Sequence, residues 1–237
     1  VRLRVEPSGG VRAWVSVTSQ GQGQSFTLSR LVAGELGIPQ ESIRINSGDT
    51  EESPYGLGTF ASRGVIGAGT AIIYAAREIK QKMLKIASHI LKIPEGYLRL
   101  ENGAVYAYDN TGNGPLLTFL EIARAAHSSE HQVPGLDPGL EVVKFHDPQP
   151  DFSNPQVVVS SGCHIAVVEI ERETGEISVL RYVSVEDCGT QVSPDIVEGQ
   201  VIGGIAQGIE NTLYNEIVYG EDGQLLTGSL LDYALIT

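Results

Sequence analysis

Glutamine and glycine alternate through Gln20-Gly21-Gln22-Gly23-Gln24. An alternating apolar run precedes this stretch. An amphipathic run follows it and ends at Gly37-Ile38-Pro39, so the order reads as strand, tight turn and helix start. The first turn of a helix carries N–H groups with no intrahelical partner and the positive end of the helix dipole, a setting for an oxyanion or phosphate. The carboxamides of Gln20 and Gln22 can both donate and accept. Such a turn suits an anionic ligand rich in hydrogen-bonding atoms. No lysine follows the glycines, which separates it from the nucleotide-binding loop that ends in Gly-Lys-Ser/Thr.

Two more polar, glycine-bearing stretches stand before helical patterns, at residues 59–69 and 187–200. Taken singly, each is a tight turn that glycine permits. Converging, the three would surround one ligand with backbone amides, and Gln200 and Gln207 would add carboxamides. Gly199, Gly203, Gly204 and Gly208 share one helical pattern, where each costs about 1 kcal/mol relative to alanine. Close approach of a neighbouring helix or a bulky ligand would account for them.

Other reactive residues read as structural. Asp49, Glu51 and Glu52 form a solvated acidic loop. The five histidines show no metal-ligand spacing. Cys163 and Cys188 are 25 positions apart with no Cys-x-x-Cys, so this chain is expected to hold no metal or iron–sulfur site of its own. Glu198 and Glu210 fall inside a helical pattern.

The elements that must position these turns follow from periodicity. Residues 1–5 and 11–17 alternate around Pro7-Ser8-Gly9-Gly10 as a hairpin. A helix is expected over 25–36, with Phe26, Leu28, Leu31, Val32 and Leu36 inward. A short strand follows at Ile43 and Ile45, then a long helix over 70–91, a hairpin over 97–108 turning at Asn102-Gly103, and a helix over 119–127. Residues 128–156 carry five prolines and read as an extended connector. Strands over 157–170 and 177–185 come next. Then comes a helix entered at Ser193-Pro194, with Ile196, Val197, Val201, Ile205 and Ile209 inward. A last hairpin turns at Glu221-Asp222-Gly223. The expected class is α+β, with antiparallel hairpins and small mixed sheets packed on helices. It divides into two similar subdomains, 1–127 and 157–237, joined by the arm 128–156.

At 237 residues and 41% apolar content, the chain can bury a core. A net charge of −13 argues against nucleic acid or an anionic membrane surface as partner. No apolar run reaches the roughly 20 residues of a membrane span, and no signal peptide is visible. The chain opens at Val1 inside an alternating pattern, which reads as a piece of a longer polypeptide.

Read together, the turns resemble the molybdenum-cofactor-binding large subunit of the xanthine dehydrogenase, aldehyde oxidoreductase and carbon monoxide dehydrogenase family. The resemblance is carried by Ser19-Gln20-Gly21-Gln22-Gly23, by Glu35-Leu36-Gly37-Ile38-Pro39 with Gly48-Asp49-Thr50, and by Gly58-Thr59-Phe60-Ala61-Ser62-Arg63. Asp187-Cys188-Gly189, Val197-Glu198-Gly199-Gln200 through Gln207-Gly208, and Leu225-Leu226-Thr227-Gly228-Ser229 extend it over nearly the whole chain. Gln24 departs from the family's usual residue after Gln-Gly-Gln-Gly.

The resemblance implies an oxidoreductase that holds molybdopterin, in its dinucleotide form, with molybdenum and without a covalent protein–metal bond. It implies cofactor contacts at Gln20, Gln22 and Gly23, at Ala61, Ser62 and Arg63, and at Cys188 and Gln200. The family's general base, a glutamate in a Gly-Glu motif, would lie beyond Thr237, so no catalytic residue is assigned within this chain and the chain alone is expected to be inactive. Iron–sulfur clusters and FAD would sit on partner subunits or domains of a cytoplasmic enzyme, a dimer when complete. The alternative is a non-catalytic binding domain that keeps the fold.

Overall fold

Arginines alternate with Val1, Leu3 and Val5, so one face of the first strand is apolar and the other cationic. The computed structural model describes residues 1–109, 114–146 and 159–236, and falls into two units, Val1–Pro150 and Asp151–Thr237. In the first unit, β1 (Arg2–Val5) and β2 (Val11–Val15) form the expected antiparallel hairpin. Leu3, Val5, Val11, Ala13 and Val15 are buried on its inner face. On the outer face Arg2 pairs in register with Trp14, and the guanidiniums of Arg2 and Arg4 lie 4.3 and 5.3 Å from the Trp14 ring centre.

The chain leaves β2 through the first glutamine–glycine turn into α1 (Gln24–Leu36) and returns as β3 (Ile43–Ser47), parallel to β2. The helix buries Leu28, Val32 and Leu36. Phe26, expected inward, is 49% exposed. Two positions before Leu28 at about 100° per residue, it points away from the buried stripe. Gly37 ends the helix in the left-handed region (φ 67°), and its N–H donates to the Ala33 carbonyl at 2.8 Å.

The long helix α2 (Thr70–Leu91) supplies the centre of the core with Ile72, Ala76, Ile79, Met83 and Ile86. Residues 59–69 are not all loop. Val65–Gly69 wind as a π-helix directly into α2, so the helical segment begins about one turn earlier than its apolar pattern suggested. β4 (Leu98–Glu101) and β5 (Ala104–Ala107) pair around Asn102-Gly103, both at positive φ, as such a two-residue hairpin turn requires. β6 (Leu117–Thr118) completes a three-stranded sheet, and Thr118 caps α3 (Phe119–Ala126).

The connector reading of 128–156 needs correction. Leu140–Val143 form β7, which pairs antiparallel with β1 and gives the four-stranded order β3-β2-β1-β7. Leu140 and Val142 are buried. Leu140, Val142, Val143 and Phe145 between prolines made too short a pattern to show a strand.

The second unit holds β8 (Ser161–Ile170) and β9 (Ile177–Asp187), an antiparallel ribbon with a register shift between Val167 and Val168. Residues 157 and 158 of the expected strand lie outside the described residues. The ribbon is followed by α4 (Pro194–Leu213), with Pro194 at its first turn as expected. Ile196, Val197, Val201, Ile205 and Ile209 are half-buried, while Ile202 on the other side is exposed. The final hairpin reduces to one bridge, Tyr219 with Leu225. Both units therefore share the order hairpin, polar turn, helix; among the described residues the first also widens its hairpin to four strands and adds a three-stranded sheet and a long central helix.

Candidate cofactor-binding site

The first turn is built by glycines. Gly23, at φ 69° and ψ 23°, is left-handed and stands as N-cap of α1, so no side chain caps that helix. The first-turn amides of α1 are thus turned toward whatever occupies the space beyond Gly23.

The three glutamines of this turn are wired in series. The Gln20 backbone N–H donates to Gln22 Oε1 at 2.5 Å, and Gln22 Nε2 donates to Gln24 Oε1 at 3.0 Å. Gln22 is half-buried, and Gln24 is only 5% exposed. The side chain of Gln20 takes no part.

The second turn, residues 59–63, is fastened to the first. Thr59 Oγ1 accepts the Thr18 N–H at 2.6 Å and donates to the Thr18 carbonyl at 2.8 Å. Ala61 (φ 51°) and Ser62 (φ 54°) then stand consecutively in the left-handed region, a conformation that costs non-glycine residues about 1–3 kcal/mol each unless the surroundings hold it. Both are exposed. The Arg63 guanidinium lies 4.8 Å from the Phe60 ring centre. The next residue is Gly64, where a Cβ would fall 2.4 Å from Gln24 Nε2. Glycine there lets the start of the second helical segment rest against the Gln24 carboxamide. A cleft beside this turn is lined by Ser16, Val17, Gly58, Arg63, Phe145 and His146.

The structure thus brings together Gln20, Gln22 and Gly23 with Ala61, Ser62 and Arg63. Cys188 and Gln200 belong to the second unit. Cys188 is an exposed free thiol just after β9, in a turn where the Gly189 N–H donates to Asp187 Oδ1 at 2.9 Å. Gln200 is exposed on α4, so the stretch 187–200 is loop only as far as Ser193. Glu210 is buried and accepts the Ile236 N–H through Oε1 at 2.6 Å, a structural role. Glu52 accepts from Trp14 Nε1 at 2.9 Å, which ties the acidic loop to the sheet. Among the described residues no cluster of three or more His, Cys, Asp or Glu could hold a metal ion, and no helix is long and apolar enough to cross a membrane.

This donor set fits a bulky anionic heterocycle with a phosphate-bearing tail. It offers helix-start amides, carboxamides that donate and accept, one guanidinium and no lysine. The family model for the molybdopterin cofactor-binding domain matches residues 1–237. This chain belongs to that family. The molybdopterin cofactor-binding domain described here is 40% identical over 236 residues to the carbon monoxide dehydrogenase large chain of Hydrogenophaga pseudoflava, covering 99% of this chain and 28% of that one. It is 36% identical to the nicotine 6-hydroxylase large subunit of Paenarthrobacter nicotinovorans, covering 98% and 28%. Among solved structures, quinoline 2-oxidoreductase from Pseudomonas putida 86 matches with a TM-score of 0.85 at 36% identity over 100% of this chain and 29% of that one. The Cu,Mo-CO dehydrogenase matches with 0.85 at 37%, over 100% and 28%. The domain therefore spans under a third of the length of these relatives. Two of these relatives are named as a large chain and a large subunit, the CO dehydrogenase structure is named for molybdenum, and a further relative at 27% identity is named as a putative xanthine dehydrogenase molybdenum-binding subunit of Escherichia coli (strain K12).

Proposed function

We propose that this domain holds molybdopterin in its dinucleotide form, as part of the large subunit of a molybdenum hydroxylase. The observation that carries this reading is the fastening of two glycine turns by Thr18 and Thr59. It sets the N-terminus of α1 and the start of the second helical segment side by side. Two adjacent helix starts without a lysine suit a pyrophosphate held by backbone N–H groups. Carboxamides suit a pterin, whose edge alternates donors and acceptors.

In this reading Gly23 admits the ligand close to the α1 amides, and Gln22 offers its fixed carboxamide. Ala61 and Ser62 present backbone groups from their left-handed turn, and Arg63 adds positive charge. Cys188 and Gln200, which belong to the second unit, are proposed cofactor contacts on the family resemblance alone. When bound, the cofactor supplies two-electron redox chemistry at molybdenum. This chain's residues bind and orient it, and the proton-accepting glutamate comes from elsewhere in the enzyme. Iron–sulfur clusters and FAD on partner subunits or domains of a dimeric enzyme would serve as the electron acceptors. Both cysteines are free thiols, which suits a reducing cytoplasm.

The test is metal and pterin analysis of the purified full-length protein. About one molybdenum and one pterin per polypeptide, with a nucleotide released by acid, supports the reading. A protein with neither after expression in a host that makes the cofactor overturns it. The isolated domain is expected to show no substrate oxidation with a dye acceptor.

A further inference from the structure

A backbone N–H can only donate, and this fixes the polarity of the glutamine series. Gln22 must turn its oxygen to the Gln20 N–H at 2.5 Å, which leaves its nitrogen to face Gln24 at 3.0 Å. Gln24 must then meet Gln22 with its oxygen, which leaves its own Nε2 as the free end. That nitrogen has no hydrogen-bond acceptor among the described residues, although Gln24 is 95% buried, at 5% exposure. It rests against Gly64, at the junction of the two turns, where a Cβ would fall 2.4 Å from it and push it aside. Among the described residues this nitrogen is not one of the fully buried unpaired side-chain atoms, so it keeps an opening through which an arriving acceptor can reach it.

We propose that Gln24 is a further ligand-binding residue, donating through Nε2 to an oxygen of the molecule that lies across the two turns. The acceptor is a phosphate or pterin carbonyl oxygen, which share the negative or partly negative charge an N–H seeks. This rests on the reading that the turns hold a pterin cofactor. The Gln20 N–H and the Gln22 carboxamide also decide which atom Gln24 presents.

The test uses the full-length protein as wild type, Q24E and Q24M. Glutamate keeps an oxygen for Gln22 to donate to and replaces only the outward N–H₂ with oxygen. Methionine fills the same space with no donor. Pterin is measured by fluorescence after oxidation and molybdenum by mass spectrometry, both per polypeptide after gel filtration. Folding is checked by circular dichroism and melting temperature. The expected result is about tenfold less retained pterin in Q24E, and a smaller loss in Q24M, at unchanged secondary structure. Wild-type pterin content in a folded Q24E overturns the proposal. If Q24E does not fold, Q24M decides: a loss of threefold or more supports the role, and wild-type content overturns it. A wild type without pterin overturns the cofactor reading itself and this role with it, whereas a loaded wild type beside an equally loaded Q24E overturns this role alone.

Discussion

One hydroxyl satisfies both backbone groups of Thr18: Thr59 Oγ1 accepts its N–H at 2.6 Å and donates to its carbonyl at 2.8 Å. No sheet ladder or helix does this work at the exit of β2, so a side chain 41 positions away helps to set the spacing of the two glycine turns. Thr59→Val keeps the shape and removes both bonds. The expected cost to global stability is about 1 kcal/mol, because the site is exposed and water can take over. The local effect is larger: the Thr18 amide should exchange its hydrogen at least tenfold faster, measured by hydrogen–deuterium exchange. Unchanged protection at Thr18 would show that another group holds the turns together.

Consecutive left-handed residues at Ala61 and Ser62 make opposite predictions for two small substitutions. Ala61→Gly should leave stability unchanged or raise it by up to about 1 kcal/mol, since glycine reaches φ 51° without a Cβ penalty. Ala61→Val should lower it by about 1–2 kcal/mol, because β-branching is poorly tolerated at positive φ. Denaturant unfolding of the pair checks both signs. A destabilised Ala61→Gly together with a neutral Ala61→Val would mean that the turn is not left-handed.

Gly64 and Gln24 should be energetically coupled. Gly64→Ala puts a methyl 2.4 Å from Gln24 Nε2, and the expected loss is about 1–3 kcal/mol despite alanine's better helix propensity. In a Gln24→Ala background the clash has no partner, so the same change should be neutral or stabilising. A double-mutant cycle reads the difference, and additivity within about 0.5 kcal/mol would refute the contact.

Thr118 and Glu121 form a reciprocal capping box at α3: Thr118 N–H donates to Glu121 Oε2 at 2.7 Å and the Glu121 N–H donates to Thr118 Oγ1 at 3.2 Å. Thr118→Ala should cost about 1 kcal/mol. The Thr118 backbone N–H, then its hydroxyl, hold the Glu121 carboxyl below the ordinary glutamate range. A carboxyl pKa lowered by folding contributes stability above the unfolded value, and that contribution is lost as pH falls through the folded value. Glu121→Gln should therefore flatten the acid limb of the stability–pH curve. An unchanged acid limb would show that the bond is absent in solution.

Hairpins and long helices were legible because their signal is local: alternation at β1 and β2, apolar residues at helical spacing in α2, and Asn102-Gly103 at a turn. What escaped was set at long range. β3 runs parallel to β2 only because α1 carries the chain back, and two isolated apolar residues reveal no direction. β7 is a strand because β1 offers it an edge, not because Leu140 and Val142 announce one. The start of the second helical segment hid behind glycines, which lower helix propensity where tertiary packing overrides it. The turns themselves were visible as glycine patterns. The Thr18–Thr59 bond and the wiring of the glutamines were not, since side-chain hydrogen bonds leave no period in a sequence.

The series of glutamines also defines which substitutions the turn could absorb over time. Its direction originates in the peptide hydrogen of residue 20, and the side chain there contributes nothing to the relay. Nineteen of the twenty amino acids carry that hydrogen. For the relay, position 20 thus bars only proline, whose ring nitrogen has no hydrogen to give and would leave Gln22 free to reverse. The relay asks of that residue only an atom that every amino acid but one could provide.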